Sequence, residues 1–100
     1  MTDGYLLNLR TLRKVRDDKA QALKPLEEAA EAFGAWQRCD DIRLSPTMTA
    51  RVEHRDDLID ECLDTVQATV NLLAAVGATQ GEVDAAIRRM DERNWSRGRL

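Results

Sequence analysis

The sequence predicts an all-α fold. Three observations carry this: apolar residues recur at helical spacing, no stretch alternates with a period of two, and aromatic content is only 4%. With 100 residues the natural organisation is one domain spanning positions 1–100. A domain of this size buries only about two-thirds of the surface its unfolded chain exposes, so oligomerisation is an attractive way to bury more.

About four helices are expected. The first runs from about Asp3 into the low twenties, with Tyr5, Leu9, Leu12 and Val15 at helical spacing. Pro25 disfavours helix at Lys24 and suits a first turn, so a break or restart is expected there. The second helix carries Leu26, Ala29, Ala30, Phe33 and Trp36 on one side, with Phe33 and Trp36 read as core. Residues Asp40 to Thr47 read as a loop, with Ser45 as N-cap and Pro46 at the first position of a long third helix. Gly77 suits the left-handed cap that ends it. Thr79-Gln80-Gly81-Glu82 reads as a capping box for a fourth helix with Val83, Ala86, Ile87 and Met90. The tail from Asn94 onward is expected to leave the helix.

The net charge is −3 with 33% charged residues, a balance that does not favour nucleic acid as a partner. The distribution of charge is more informative. Arg10 to Lys24 holds six basic and two acidic residues, Glu53 to Asp64 holds six acids, and Arg88 to Arg99 holds five arginines. Two basic ends flank an acidic middle. A metal–polyphosphate site needs both signs, and solvated helix faces laced with ion pairs produce the same pattern. Cys39 and Cys62 have neither disulfide-framework nor zinc-ligand spacing. No signal peptide and no long apolar run is visible, so a cytoplasmic protein without a membrane partner is expected.

The acids fall into two pairs. Glu27-Glu28-Ala29-Ala30-Glu31 is E-E-x-x-E, and Glu61-Cys62-Leu63-Asp64 is E-x-x-D. Residues three apart are neighbours on a helix surface, so Glu28/Glu31 and Glu61/Asp64 form two clamps. If the two helices pack antiparallel, four carboxylates converge. They would repel and take up protons, or accept a hard divalent cation. Ala32, Gly34 and Ala35 lie on the acid side of one helix, and Ala68, Asn71 and Ala75 on that of the other. Ala68 to Val76 is apolar nearly all round, which argues for burial on every side.

With these motifs in order, the chain resembles the MazG-like nucleotide pyrophosphohydrolases. The match runs through Lys24 to Glu31, Asp60 to Gln67, Asn71 to Gly77, Arg93-Asn94-Trp95 and Arg97-Gly98-Arg99, about three-quarters of the chain. The resemblance implies cleavage of a nucleoside triphosphate between its α and β phosphates, giving monophosphate and pyrophosphate. It implies Mg2+ as cofactor, held by Glu28, Glu31, Glu61 and Asp64. A carboxylate such as Glu27 or Glu28 would accept a proton from the attacking water. Asn71, Lys24 and Arg93 are the expected substrate-binding residues, and a homodimer or homotetramer the expected assembly. Two alternatives remain open: a phosphoribosyl-ATP pyrophosphohydrolase, and a non-enzymatic helical interaction module that leaves the acids solvated.

Overall fold

A computed structural model describes residues 3–43 and 47–100. Three helices form among them: α1 (Lys19–Asp41), α2 (Met48–Ala75) and α3 (Gln80–Ser96), with no strand among the described residues. The chain is all-α as expected, but three helices replace the expected four. None of them is long and apolar enough to cross a membrane.

The missing helix is the first. Up to Asp18 the described N-terminal chain is an irregular strap rather than a helix. Its backbone groups find partners on α2. The Leu12 N–H donates to Asn71 Oδ1 at 3.1 Å, and the Arg10 carbonyl accepts from Gln67 Nε2 at 2.7 Å. Backbone groups must be satisfied by something, and here side chains of α2 replace an internal helical ladder. The stripe that predicted a helix is not a packed face, since Tyr5 and Leu12 are both exposed.

Helix α1 begins where Asp18 caps it. Asp18 has extended backbone, and its Oδ1 accepts from the Gln21 N–H at 2.9 Å. The expected break at Pro25 does not occur, and the helix runs through Pro25 to Asp41. An interior proline removes one backbone hydrogen bond and crowds the preceding turn, at about 3 kcal/mol. The long packing of α1 against α2 offsets that cost.

The two helices form an antiparallel hairpin. Cys39, late in α1, donates its thiol to the carbonyl of His54, early in α2, at 3.1 Å. Glu31 meets Glu61 further along, and Lys24 shares a cleft with Asn71 at the far end. Among the described residues those buried are Ala35, Ala68 and Asn71, all small or polar. The expected placement of Phe33 and Trp36 in the core is corrected. They are 59% and 46% exposed and stack on each other with ring centroids 6.0 Å apart. The alanine side of α1 takes the packed position, so the aromatic side faces out.

Helix α2 starts after Thr47; the expected Ser45 cap and Pro46 lie outside the described residues. It ends as expected at Gly77, with φ of +76°. The Ala78 N–H reaches back to the Leu73 carbonyl at 3.0 Å, closing the end of the helix. The Thr79–Glu82 capping box is present in both directions, at 3.1 and 3.0 Å. Helix α3 then continues to Ser96, so Asn94 and Trp95 are helical, contrary to the expected departure there. Its Val83 and Ile87 share a cleft with Val66, Val70 and Leu73 of α2 and with Leu7 and Leu9 of the strap, without the close helix-on-helix packing of α1 against α2. For that reason the end of α2 is not buried on all sides: Leu73 and Val76 are exposed.

Candidate metal centre

The hairpin brings Glu28, Glu31 and Glu61 together because they lie on the small-residue face through which the helices pack; the expected fourth member, Asp64, is not among them. Glu28 and Glu31 sit one turn apart on α1, above Ala32 and Ala35. Glu61 stands opposite on α2, two turns from Ala68. One carboxylate oxygen from each of Glu28, Glu31 and Glu61 lies within 4.8 Å of the other two. Glu28 and Glu61 are half-buried and Glu31 is exposed. Asp64 does not join that set, although its charge is felt by both Glu28 and Glu61.

The electrostatics follow from the crowding. Loss of solvent, then the charge of Glu31 and a hydrogen bond with it, then Asp64 and Glu61, push the Glu28 carboxyl above its ordinary 4.5. Glu61 is raised likewise, by loss of solvent first and then by Glu31 and Asp64, with the Arg38 guanidinium pulling weakly the other way. The Oε2 of Glu61 is buried and has no hydrogen-bond partner among the described residues. A buried oxygen left without a donor is costly, and a cation would satisfy it.

The donor set fits a hard divalent ion. Magnesium takes about six oxygens at about 2.1 Å, so two oxygens on one ion stand at most about 4.2 Å apart. Of three ligands on an octahedral ion at least two pairs stand at right angles, about 3.0 Å apart, so the three carboxylates, which lie within 4.8 Å of one another, would have to draw in around an ion. Three protein oxygens leave coordination positions for water and phosphate.

The remaining expected residues divide. Lys24 is helical and pairs with Glu27 at 3.2 Å, both ends exposed. Glu27 therefore points to Lys24 and lies outside the converging set, whereas Glu28 lies inside it. Asn71 is 5% exposed, and its Oδ1 accepts from both Leu12 N–H and Gln67 Nε2, the latter at 2.9 Å. Lys24 and Asn71 line one cleft of about 360 Å³. Lys24 also feels the charges of Glu28 and Glu31, so this cleft adjoins the carboxylates. Arg93 is not among the residues brought to the site within one chain: it lies in the last turn of α3, which does not pack closely along either site helix.

Sequence reasoning missed Gln67, which links the strap to Asn71 from one turn earlier on α2. The signal was its i, i+4 spacing to a buried amide. It also missed the strap itself. Comparison with protein-family models, with curated proteins and with solved structures found no match.

Proposed function

We propose that this chain is a magnesium-dependent nucleotide pyrophosphohydrolase of the MazG-like kind. It would convert a nucleoside triphosphate to the monophosphate and pyrophosphate. The observation that carries the reading is the convergence of Glu28, Glu31 and Glu61 from two helices, with a buried Glu61 oxygen that has no donor. Acids that meet across a helix seam repel one another, and a cation bound between them would relieve that repulsion.

In this reading Glu28, Glu31 and Glu61 would hold the cation, and Asp64 would add a fourth negative charge nearby. A cation held there would supply charge neutralisation for phosphate oxygens and lower the pKa of water beside it. A carboxylate, Glu28 or the neighbouring Glu27, takes one proton as the water oxygen bonds to the α-phosphorus. The bond from that phosphorus to the α–β bridging oxygen breaks, and its electron pair leaves with pyrophosphate. Phosphoryl chemistry of this kind depends mainly on positioning and charge neutralisation, which rigid helices can provide. Lys24 and Asn71 flank the substrate in the adjoining cleft.

A homodimer or homotetramer belongs to the proposal. Leu73, Val76, Ile87 and Met90 are exposed in one chain, and a second copy would cover them. Arg93 would reach a phosphate only in such an assembly. Release of pyrophosphate from a panel of nucleotides, with and without magnesium, tests the reading. Magnesium-dependent release from a nucleoside triphosphate supports it. Release confined to phosphoribosyl-ATP moves the assignment to that substrate. No release from any nucleotide favours the interaction module, to which the exposed Phe33, Trp36 and Trp95 would then belong.

A further inference from the structure

Helix α2 has a second face. Ile59, Leu63, Val66, Val70 and Leu73 recur at alternating intervals of four and three residues, the spacing of a coiled-coil seam. The last four each lie two positions after a residue of the acid and small-residue side, which carries Glu61, Asp64, Ala68 and Asn71. Two residues are about 200° round a helix, so the apolar row runs along the back of α2, away from α1. Ile59 is 42% and Leu73 39% exposed. Val66, Val70 and Leu73 line an open apolar cleft of about 360 Å³, together with Leu9 of the strap and Ile87 of α3. The chain itself covers this row only in part.

The dimensions of the molecule point to what covers the rest. One chain exposes 8372 Å² and has a radius of gyration of 16.5 Å. A compact monomer of 11.3 kDa exposes about 5,700 Å². A compact domain of 100 residues has a radius of gyration of about 13 Å. The excess, roughly 2,600 Å² per chain, is enough for what each chain of an obligate homodimer buries, about 1,000–2,500 Å². Charge selects the direction of pairing. Glu53 to Asp64 holds six acids, whereas Thr65 to Ala75 holds no charged residue. Parallel pairing along the row would set each acidic half against its own copy. Antiparallel pairing about Val66 sets it against the uncharged half, with Ile59 of one copy facing Leu73 of the other.

We propose that a second copy of this chain docks antiparallel along the back of α2, over Ile59, Leu63, Val66, Val70 and Leu73, to form a twofold dimer. One face is used twice, as twofold symmetry requires. The seam gives the proposed assembly its face and its direction, and it holds whether or not the chain hydrolyses nucleotides. Because it lies behind α2, both copies keep Glu28, Glu31 and Glu61 clear of it.

Light scattering and sedimentation of the full chain test the seam. The parent should have at least twice the 11.3 kDa mass of one chain. Ile59→Ala should raise the dimer dissociation constant about tenfold or more, with helical content by circular dichroism unchanged. Phe33→Glu, on the outer face of α1, should leave the seam intact and the mass at two chains or more. A spin label at Asp56→Cys, in a Cys39→Ser/Cys62→Ser background, reads the direction by electron–electron resonance. The two labels should stand roughly 30 Å apart in the antiparallel dimer and roughly 10 Å apart in a parallel one. A parent that is monomeric across a wide concentration range overturns the proposal. So does an unchanged dissociation constant in Ile59→Ala, a monomeric Phe33→Glu that remains folded, or the short distance between labels.

Discussion

The inner seam of the α1–α2 hairpin and its outer face are built the wrong way round for a free-standing helical domain. The seam holds Ala35, Ala68, Asn71 and the carboxylates of Glu28 and Glu61. The outer surface holds Leu26, Phe33, Trp36, Leu73 and Val76, all exposed. Apolar burial is the main stabilising term in folding, at about 25 cal/mol per Å², so a seam of alanines and acids contributes little of it. The difference teaches that the two faces have different tasks. Small residues let the helices approach closely enough for acids on both to meet. The large apolar residues are left exposed, and in the proposed assembly they would be the ones that meet a second copy.

Breaking the seam should have the largest effect. Glu61→Gln removes the carboxylate whose Oε2 lacks a donor. Loss of groups that only orient metal ligands commonly costs 10–100-fold, so loss of a ligand should lower pyrophosphate release by about 100-fold or more. Helical content, read by circular dichroism, should be unchanged. A folded variant with full activity would remove the metal assignment.

Breaking the outer face should change assembly instead. Leu73→Glu places a charge on exposed apolar surface near the end of α2. Light scattering should return a mass well above 11.3 kDa for the parent and a value near it for the variant. A monomeric parent across a wide concentration range would show that the outer face has no copy of this chain as its partner.

The strap lies between these regions and should respond more weakly. Asn71→Ala deletes the acceptor shared by Leu12 N–H and Gln67 Nε2. Leaving such groups without a partner costs about 1–3 kcal/mol, or roughly 4–8 °C per kcal/mol in a domain of this size. Hydrogen exchange at the Leu12 amide should accelerate, while amides in the middle of α1 should keep their protection.

The smallest effect expected is that of pH in the absence of divalent cations. Glu28 and Glu61 have folded pKa values raised above 4.5, so the folded chain binds more protons than the unfolded one. Their contribution to stability is fully present below 4.5 and is lost as pH rises through the folded values. Glu82 has the opposite sign. Its carboxylate accepts the Thr79 N–H, its pKa is lowered, and its contribution is present above 4.5 and lost as pH falls through its folded value. Melting should therefore occur at a higher temperature just above pH 4.5 than at neutral pH. Glu61→Gln should flatten that slope, and an unchanged slope would contradict the crowding of the seam.

These regions were not equally legible in the sequence. The acid pairs could be read because residues three apart share a helix face, and Ala32 and Ala35 marked that face as a packing surface. The capping box and Gly77 were legible because they are local. The strap was not, since Leu12 and Arg10 find their partners 59 and 57 residues away, at Asn71 and Gln67. Its apolar spacing matched a helix by period alone. Pro25 misled because a local cost was overridden by tertiary packing. Phe33 and Trp36 misled because hydrophobicity says that a residue is to be covered, not that its own chain covers it.

The most direct test of the central claim is thermal melting at neutral pH with magnesium, matched against sodium chloride at equal ionic strength. A cation that binds only the folded state, at a hundredfold excess over its dissociation constant, stabilises by about 2.7 kcal/mol. For a domain of this size the parent should melt about 10–20 °C higher with magnesium than with sodium. Glu61→Gln should melt higher than the parent when no divalent cation is present, because repulsion in the seam is reduced, and should gain much less from magnesium. A parent that magnesium does not stabilise, or a variant that gains as much as the parent, would contradict a metal site built from Glu28, Glu31 and Glu61.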